Sequence, residues 1–246
     1  MAKEMIVPKL YNQAMFCGGC GHGVLVRLIC ECLEEMELDR RVIGVAGVGC
    51  SCHLKTAINC DLVQAPHGRA AAVATGVRRA EPDLCVFSYQ GDGDAYNIGL
   101  AETMNAAYRN ENICVFVVNN SNFGMTGGQM SWCTMPGQIT ATSPKGRDTA
   151  LTGEPIRVPE MIAYGFKPAY VARGAVATPA QIRQLKGYIR NAFQAQLNHE
   201  GYSLVEVVSA CPTNWGMTPE KANAHLTEDV LGYYQLGEFK KREGQA

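Results

Sequence analysis

Two groups of residues in this chain of 246 could do chemistry. The first is Gly91-Asp92-Gly93-Asp94, which closes one apolar run, together with Asn119-Asn120, which closes the next. One carboxylate, one amide oxygen and a backbone carbonyl suit Mg2+, which takes few protein ligands and completes its octahedron with phosphate oxygens. Gly91 and Gly93 would let the backbone approach a diphosphate closely, and the helix that follows would present its N-terminus to the anion. A calcium loop built on Asp92 and Asp94 fails, because the EF-hand pattern wants a ligand where Tyr96 stands and a glycine where Asn97 stands.

The second group is cysteine. The chain has 11 cysteines, an odd count that fits a complete disulfide framework poorly. Cys30, Cys32, Cys85 and Cys114 fall inside regular elements and read as small buried hydrophobes. Cys17-Gly-Gly-Cys20 is a tight pair that needs two more ligands, and Cys50, Cys52, Cys60, Cys133 and Cys211 are the candidates outside elements. Zinc would be served by Cys17, Cys20, Cys50 and Cys52, although Cys-x-Cys is tighter than a usual zinc knuckle. A [4Fe-4S] cluster would be served by Cys17, Cys20, Cys50 and Cys211, a distant fourth cysteine followed by proline. On residue types alone, cluster, zinc and no metal all stay open.

The elements that must position these groups alternate. Leu84–Gln90 and Ile113–Val118 are short, apolar and rich in β-branched and aromatic residues, as buried parallel strands are. Apolar residues at helical spacing between them (Ile98, Ala101, Met104, Ala107, Tyr108) predict a helix over 95–110. Further helices are expected over 24–38, from His67-Gly68-Arg69 to Glu81, from Thr178-Pro179 to Asn198, and after Thr218. Further strands are expected over 42–48, 169–172 and 203–208. This pattern predicts one α/β domain over 1–246, a doubly wound parallel sheet with helices on both faces. Asp92, at an exposed strand end, and Asn120 would then share the crevice beyond the carboxyl ends of adjacent strands. The aperiodic stretch from Ser121 to Arg157 is expected to be an ordered loop closing over a cofactor or meeting another subunit. Lys240-Lys-Arg-Glu243 reads as a solvated tail.

Composition bounds the rest. A net charge of −1 with 18% charged and 47% hydrophobic residues gives no electrostatic reason to expect nucleic acid or an anionic membrane as partner. No apolar run suits export or membrane spanning, which predicts a cytoplasmic protein. A single histidine ahead of a helix, His67, is ordinarily a cap or hydrogen-bonder, and His22, His53, His199 and His225 read as structural or surface residues.

The Gly-Asp-Gly motif closed by Asn-Asn resembles the thiamine diphosphate signature. With Asn119–Gln129, Cys17-Gly-Gly-Cys20, Gly49-Cys50-Ser51, His67-Gly-Arg69 and Cys211-Pro-Thr213, nearly the whole chain resembles the β subunit of the 2-oxoacid:ferredoxin oxidoreductases. The resemblance implies thiamine diphosphate held by Gly49, Cys50, Ser51, His67, Gly91, Asp92, Gly93, Asp94, Asn120, Asn122, Gly124, Met125 and Thr126. It also implies Mg2+ on Asp92, Asn120 and Asn122, a [4Fe-4S] cluster on Cys17, Cys20, Cys50 and Cys211, and His67 near the cofactor as a catalytic residue. The implied activity is oxidative decarboxylation of a 2-oxoacid with coenzyme A to acyl-CoA, electrons leaving through the cluster to ferredoxin. The forms Gly-Met-Thr-Gly-Gly-Gln and Cys-Pro-Thr-Asn-Trp-Gly-Met are most similar to the 2-oxoisovalerate and 2-oxoglutarate types. Gly127 stands where some relatives carry a lysine. A non-oxidative thiamine-dependent decarboxylase or carboligase subunit, and a zinc- or iron–sulfur-binding scaffold, are the alternatives. Because related enzymes hold the cofactor's pyrimidine in a second domain with an activating Glu, partners are expected: a pyrimidine-side subunit, a gamma subunit and a ferredoxin-like subunit with further clusters.

Overall fold

The structure, a computed structural model, describes residues 7–13 and 15–244. Residues 1–6 of the segment read above for an export signal lie outside those described. Its frame is a seven-stranded sheet in the order β2 (Asp61–Gln64), β1 (Val42–Ala46), β3 (Cys85–Gly91), β4 (Cys114–Asn119), β8 (Ser203–Val208), β7 (Tyr170–Ala175), β9 (Gly237–Lys240). Every pairing is parallel except β7 with β9.

The continuous apolar runs are explained by burial on both faces. Phe87, Tyr89, Phe116, Val118, Val205 and Val207 meet the helices His22–Glu35 and Pro179–Leu197 in one core. Their alternates Val86, Val115, Val117, Val171 and Leu204 join a second core with Ala70–Ala80, Leu100–Tyr108 and Val158–Gly165. The long helix Pro179–Leu197 starts where its sequence says it must. Proline opens its first turn, and Thr178 and Gln181 exchange capping-box hydrogen bonds. The doubly wound class expected from the alternation is therefore the one observed. Among the described residues no helix is long and apolar enough to cross a membrane.

From β1 the chain passes outward to β2, then returns to place β3 on β1's other side. The loops after β1 and β3 consequently run apart, leaving the crevice where open α/β sheets take ligands. Gly47–Cys50, Gly91–Asp94 and Asn119–Asn122 all open onto that end of the sheet.

Three expectations need correction. The helix over 95–110 is broken: Gly93–Ile98 is a wide π turn, and the α-helix begins only at Leu100. A Cβ on Gly99 would lie 2.2 Å from the Gly68 carbonyl oxygen, so the His67-Gly68 turn packs directly against the break. Ile98 and Tyr108, counted in its apolar face, are 43% and 71% exposed. Two strands of the main sheet escaped prediction, β2 and β9, because an edge strand half in solvent needs no apolar run. The charged end is not simply solvated, since Arg242 forks onto Glu200 at 2.6 and 2.9 Å. The 121–157 stretch is ordered by internal bonds as well as by two short strands, β5 (Asn122–Phe123) and β6 (Gln129–Met130). Within it the buried Arg147 donates to the carbonyls of Ser131, Trp132, Thr134 and Gly153.

Arg173, on β7 and fully buried, ties the far side of the sheet together. Its Nε donates to Glu206 of β8 at 2.5 Å, and its two terminal nitrogens fork onto Glu160 at 2.7 Å each. Burial alone would pull its pKa down, but the two carboxylates over-compensate and hold it above the ordinary arginine value. Removing one member strands a buried charge. We predict that Arg173→Met costs ~3–5 kcal/mol in urea unfolding and that adding Glu206→Leu returns most of it.

Candidate functional site

Gly49, Gly91, Gly93 and Asn120 line one cleft of about 120 Å³, together with Cys50, His67, Asp94, Asn122, Gly124, Met125 and Thr126. Eleven of the residues singled out for a cofactor thus meet in one place. Two others, Ser51 and Asp92, stand behind the wall, each 1% exposed. Asp92 is therefore not the exposed strand-end carboxylate expected from its position. Gly49 has φ 96°, a conformation that favours glycine. A Cβ on Gly93 would lie 2.5 Å from the Phe123 ring, so the absent side chain is what lets that ring close the cleft.

Burial pushes the Asp92 carboxyl up to about 7, against hydrogen bonds from Ser131 and the backbone that pull it down. A cation beside it would reverse that balance. The Asn120 amide group lies beside it, one terminal atom 3.2 Å from Asp92 Oδ1 and 2.8 Å from the Asn122 carbonyl oxygen. Turning the amide would make both contacts hydrogen bonds; with the oxygen inward they need a cation. Asn122 faces this point with its backbone carbonyl, while its side-chain Nδ2 donates to the Asn120 carbonyl at 2.8 Å.

Asp94 has a different task. One oxygen accepts from His67 Nδ1 and, at 2.7 Å, from the Gly68 N–H; the other accepts from Gln90 at 2.8 Å. With Nδ1 committed, His67 has only Nε2 left for the cleft, so Asp94 fixes the ring that resemblance marked as catalytic. Gly47 makes room for this carboxylate, since a Cβ there would sit 2.1 Å from Asp94 Oδ2.

The cleft also takes in His22, Val48 and Phe123, which the sequence reading passed over. His22, expected to be structural, stacks on Phe16 and lies 2.7 Å from the Tyr89 hydroxyl. Burial, reinforced by His53, pulls its pKa down to about 3, so it presents a neutral ring. Its place in the Cys-Gly-Gly-Cys-Gly-His run was the available signal.

A second cavity, about 260 Å³, adjoins the first and is lined by Cys17, Cys20, Cys50 and Cys211 with Phe16, His53 and Asn214. Cys52 is not in its lining. All 11 cysteines are free thiols. Burial lifts Cys20 to about 12 and Cys50 to about 11, and the neighbouring thiols add to each rise. Among the described residues no three His, Cys, Asp or Glu side chains close on a single ion. Asn214, another residue missed, donates to the Gly124 carbonyl at 2.8 Å and to Cys211 Sγ at 3.5 Å. Gly124 itself stands close to Cys50, whose sulfur would be 3.1 Å from an added Cβ.

Residues 39–207 match the family described as thiamine pyrophosphate enzyme, C-terminal TPP binding domain. The chain is 41% identical over 230 residues to the ketoisovalerate oxidoreductase subunit VorA of Methanothermobacter thermautotrophicus, covering 94% of this chain and 48% of that one. It is 36% identical over 238 residues to the 2-oxoglutarate synthase subunit KorB of Archaeoglobus fulgidus, covering 92% and 84%. Its fold matches, at a TM-score of 0.73 and 28% identity, the 2-oxoglutarate:ferredoxin oxidoreductase from Magnetococcus marinus with 2-oxoglutarate, coenzyme A and succinyl-CoA bound. That match covers 86% of this chain and 70% of the other. Fold and cleft together define a thiamine diphosphate-binding α/β domain. The chain belongs to the β-subunit family of the 2-oxoacid:ferredoxin oxidoreductases. It spans about half the length of the VorA relatives it matches.

The two glycines of the turn should separate packing from ligand approach. A Cβ on Gly91 meets nothing within 4 Å, whereas one on Gly93 strikes Phe123. Gly91→Ala is expected to keep the native urea midpoint yet lose thiamine diphosphate affinity in calorimetric titration, and Gly93→Ala to lose both.

Proposed function

We propose that this chain is the cofactor-binding subunit of an enzyme that oxidatively decarboxylates a 2-oxoacid with coenzyme A, yielding acyl-CoA and carbon dioxide and passing electrons to ferredoxin. The observation that carries this reading is a shared wall: Cys50, Asn120, Gly124 and Met125 line both the cleft and the cysteine cavity. A redox centre one wall away from a decarboxylating cofactor favours oxidation over the non-oxidative alternative.

The residues fit the groups proposed for them. Oxygens ~2.05 Å from Mg2+ in an octahedron stand ~2.9 Å apart along each edge. With the Asn120 amide oxygen turned inward, its 3.2 and 2.8 Å spacings would bracket that value, so Asp92, Asn120 and the Asn122 carbonyl would fit as the protein's Mg2+ ligands. Four thiols around one cavity support a [4Fe-4S] cluster on Cys17, Cys20, Cys50 and Cys211, each cysteine meeting its own corner. Zinc would need its four sulfurs ~2.3 Å from a single centre, a convergence not found among the described residues.

When bound, thiamine diphosphate supplies the electron sink that lets a 2-oxoacid lose carbon dioxide. The chain's own residues place and shield it. Backbone at Gly91 and Gly93 meets the diphosphate, and His67, oriented by Asp94, offers Nε2 to the same anion. Phe123, Val48 and the neutral His22 exclude water from the inner wall. The cleft's 120 Å³ is well below the ~300 Å³ minimum usual for a complete pocket, which supports a second chain or domain closing the pyrimidine side. On this reading the electron acceptors beyond the cluster, and a subunit carrying them, also lie in partner chains within the cytoplasm.

A branched-chain 2-oxoacid is the favoured substrate type. The cleft lining among the described residues carries no Lys or Arg to meet a second carboxylate, and Phe123, Met125 and Val48 are apolar. Identity to the ketoisovalerate subunits, 41%, exceeds the 36% to the 2-oxoglutarate subunit.

Anaerobically purified protein is expected to hold about four irons per chain, to lose them with Cys211→Ala and to keep them with Cys52→Ala. Zinc in place of iron, or the reverse pattern between the two variants, would refute the ligand set. In the complete complex, coenzyme A-dependent reduction of a viologen dye should run fastest with 2-oxoisovalerate. Decarboxylation without dye reduction would instead establish the non-oxidative reaction.

A further inference from the structure

Ser131 is fully buried just after β6, in a part of the chain with almost no regular structure. Its hydroxyl stands 2.5 Å from Asp92 Oδ2 and accepts the Cys133 N–H at 3.1 Å, so its own proton goes to the carboxylate. Asp92 Oδ2 is thereby occupied. Oδ1 is the oxygen left facing the Asn120 amide, whose same end also faces the Asn122 carbonyl.

The segment holding Ser131 is fastened from several sides. Thr134 Oγ1 accepts the Ser131 N–H at 2.9 Å and donates to the Ser121 carbonyl at 2.6 Å. Asn97 accepts the Trp132 N–H at 2.9 Å, and the Tyr234 hydroxyl donates to the Cys133 carbonyl at 2.9 Å. Arg147 Nη1 gathers the Ser131, Trp132 and Thr134 carbonyls from the loop's far end. A knot fixed this firmly can hold a donor at one angle. Its one bond to a carboxylate oxygen is the bond to Asp92, and a hydrogen bond to an ionised group is both short and strong.

We propose that Ser131 is a positioning residue: it turns Asp92 so that one oxygen faces the cation, and so couples cation binding to the order of the 121–157 loop. This rests on the Mg2+ reading above. A cation that holds Asp92 in this orientation keeps the Ser131 anchor in place, and an anchored loop in turn favours the cation, since coupling between two events is reciprocal. Trp132, next in sequence and 44% exposed, carries the consequence to the surface. Cofactor loading would then set the shape this loop offers to a partner chain.

The test titrates Mn2+ into the full chain with thiamine diphosphate present, following free Mn2+ by electron paramagnetic resonance, for native protein, Ser131→Ala, Ser131→Cys and Asp92→Asn. Cysteine is close to serine in size but a poor donor, so it removes the bond with least disturbance of packing and carries the comparison if the alanine variant does not fold. Both Ser131 variants are expected to bind Mn2+ about 10–100-fold more weakly. Urea midpoints of the cation-free proteins should differ little between native and Ser131→Cys. Hydrogen exchange supplies the second readout: Mg2+ with thiamine diphosphate should slow exchange across 131–134 in native protein and not in Ser131→Cys. Native affinity together with native protection in Ser131→Cys overturns the positioning role, provided Asp92→Asn has lost Mn2+ binding. Undiminished binding by Asp92→Asn would instead show that the cation reading itself is wrong.

Discussion

A carboxylate with almost no access to water, at the carboxyl end of a central strand, is the constraint on which the rest of this structure depends. Asp92 is 1% exposed, and burial makes its ionised form costly. Such a group is tolerated where a partner offsets the cost: Ser131 donates its hydroxyl to one oxygen, and the Asn120 amide faces the other. The glycines, the π turn and the long loop can all be understood as ways of bringing backbone and hydroxyl that close. Gly93 has no side chain because Phe123 lies where a Cβ would go, and Gly99 because the His67-Gly68 turn does.

The second organising fact is that two chemistries share a wall. Cys50 follows β1, while Gly124 and Asn120 follow β4, and the topological reversal at β1 and β3 leaves room between them. Cys211 arrives from β8, on the other side of β4, and Asn214 ties it to Gly124. Cys17 and Cys20 of the first turn and Cys211 beyond β8 thus meet in one cavity beside the cleft. The closeness of the two cavities follows from strand order rather than from any one motif.

Beyond β4, the sheet's other half is held by charge. Arg173, Glu206 and Glu160 occupy a core position that apolar residues fill elsewhere, with Tyr234 and Phe239 against the guanidinium. This draws the C-terminal segment onto β7 as an antiparallel edge and closes the side of the sheet away from the cleft. The cleft side keeps its strand ends uncovered.

The doubly wound class was legible in the sequence because strands buried on both faces must be continuously apolar, and Cys85–Gly91 and Cys114–Asn119 are. The Gly91-Asp92-Gly93 turn was legible as a motif, but neither glycine has a positive φ; Gly93 is bare because the Phe123 ring lies against it. Edge strands Asp61–Gln64 and Gly237–Lys240 were not legible, because a half-solvated strand leaves no periodic mark. Nor was the choice between Cys52 and Cys211 settled by residue types. Both are plausible ligands by spacing, and it is the crossover to β8 that brings the distant one into the cavity and leaves the nearer one out. Ser131 lies in no motif the sequence offered, and Asn214 stood in the Cys-Pro-Thr-Asn-Trp-Gly-Met run with no role assigned. Their roles come from hydrogen bonds to residues 39 and 90 positions away, contacts that only the folded chain creates. Local patterns determined which elements form and where a cofactor could approach; long-range packing decided which side chains meet there and which way the buried carboxylate faces.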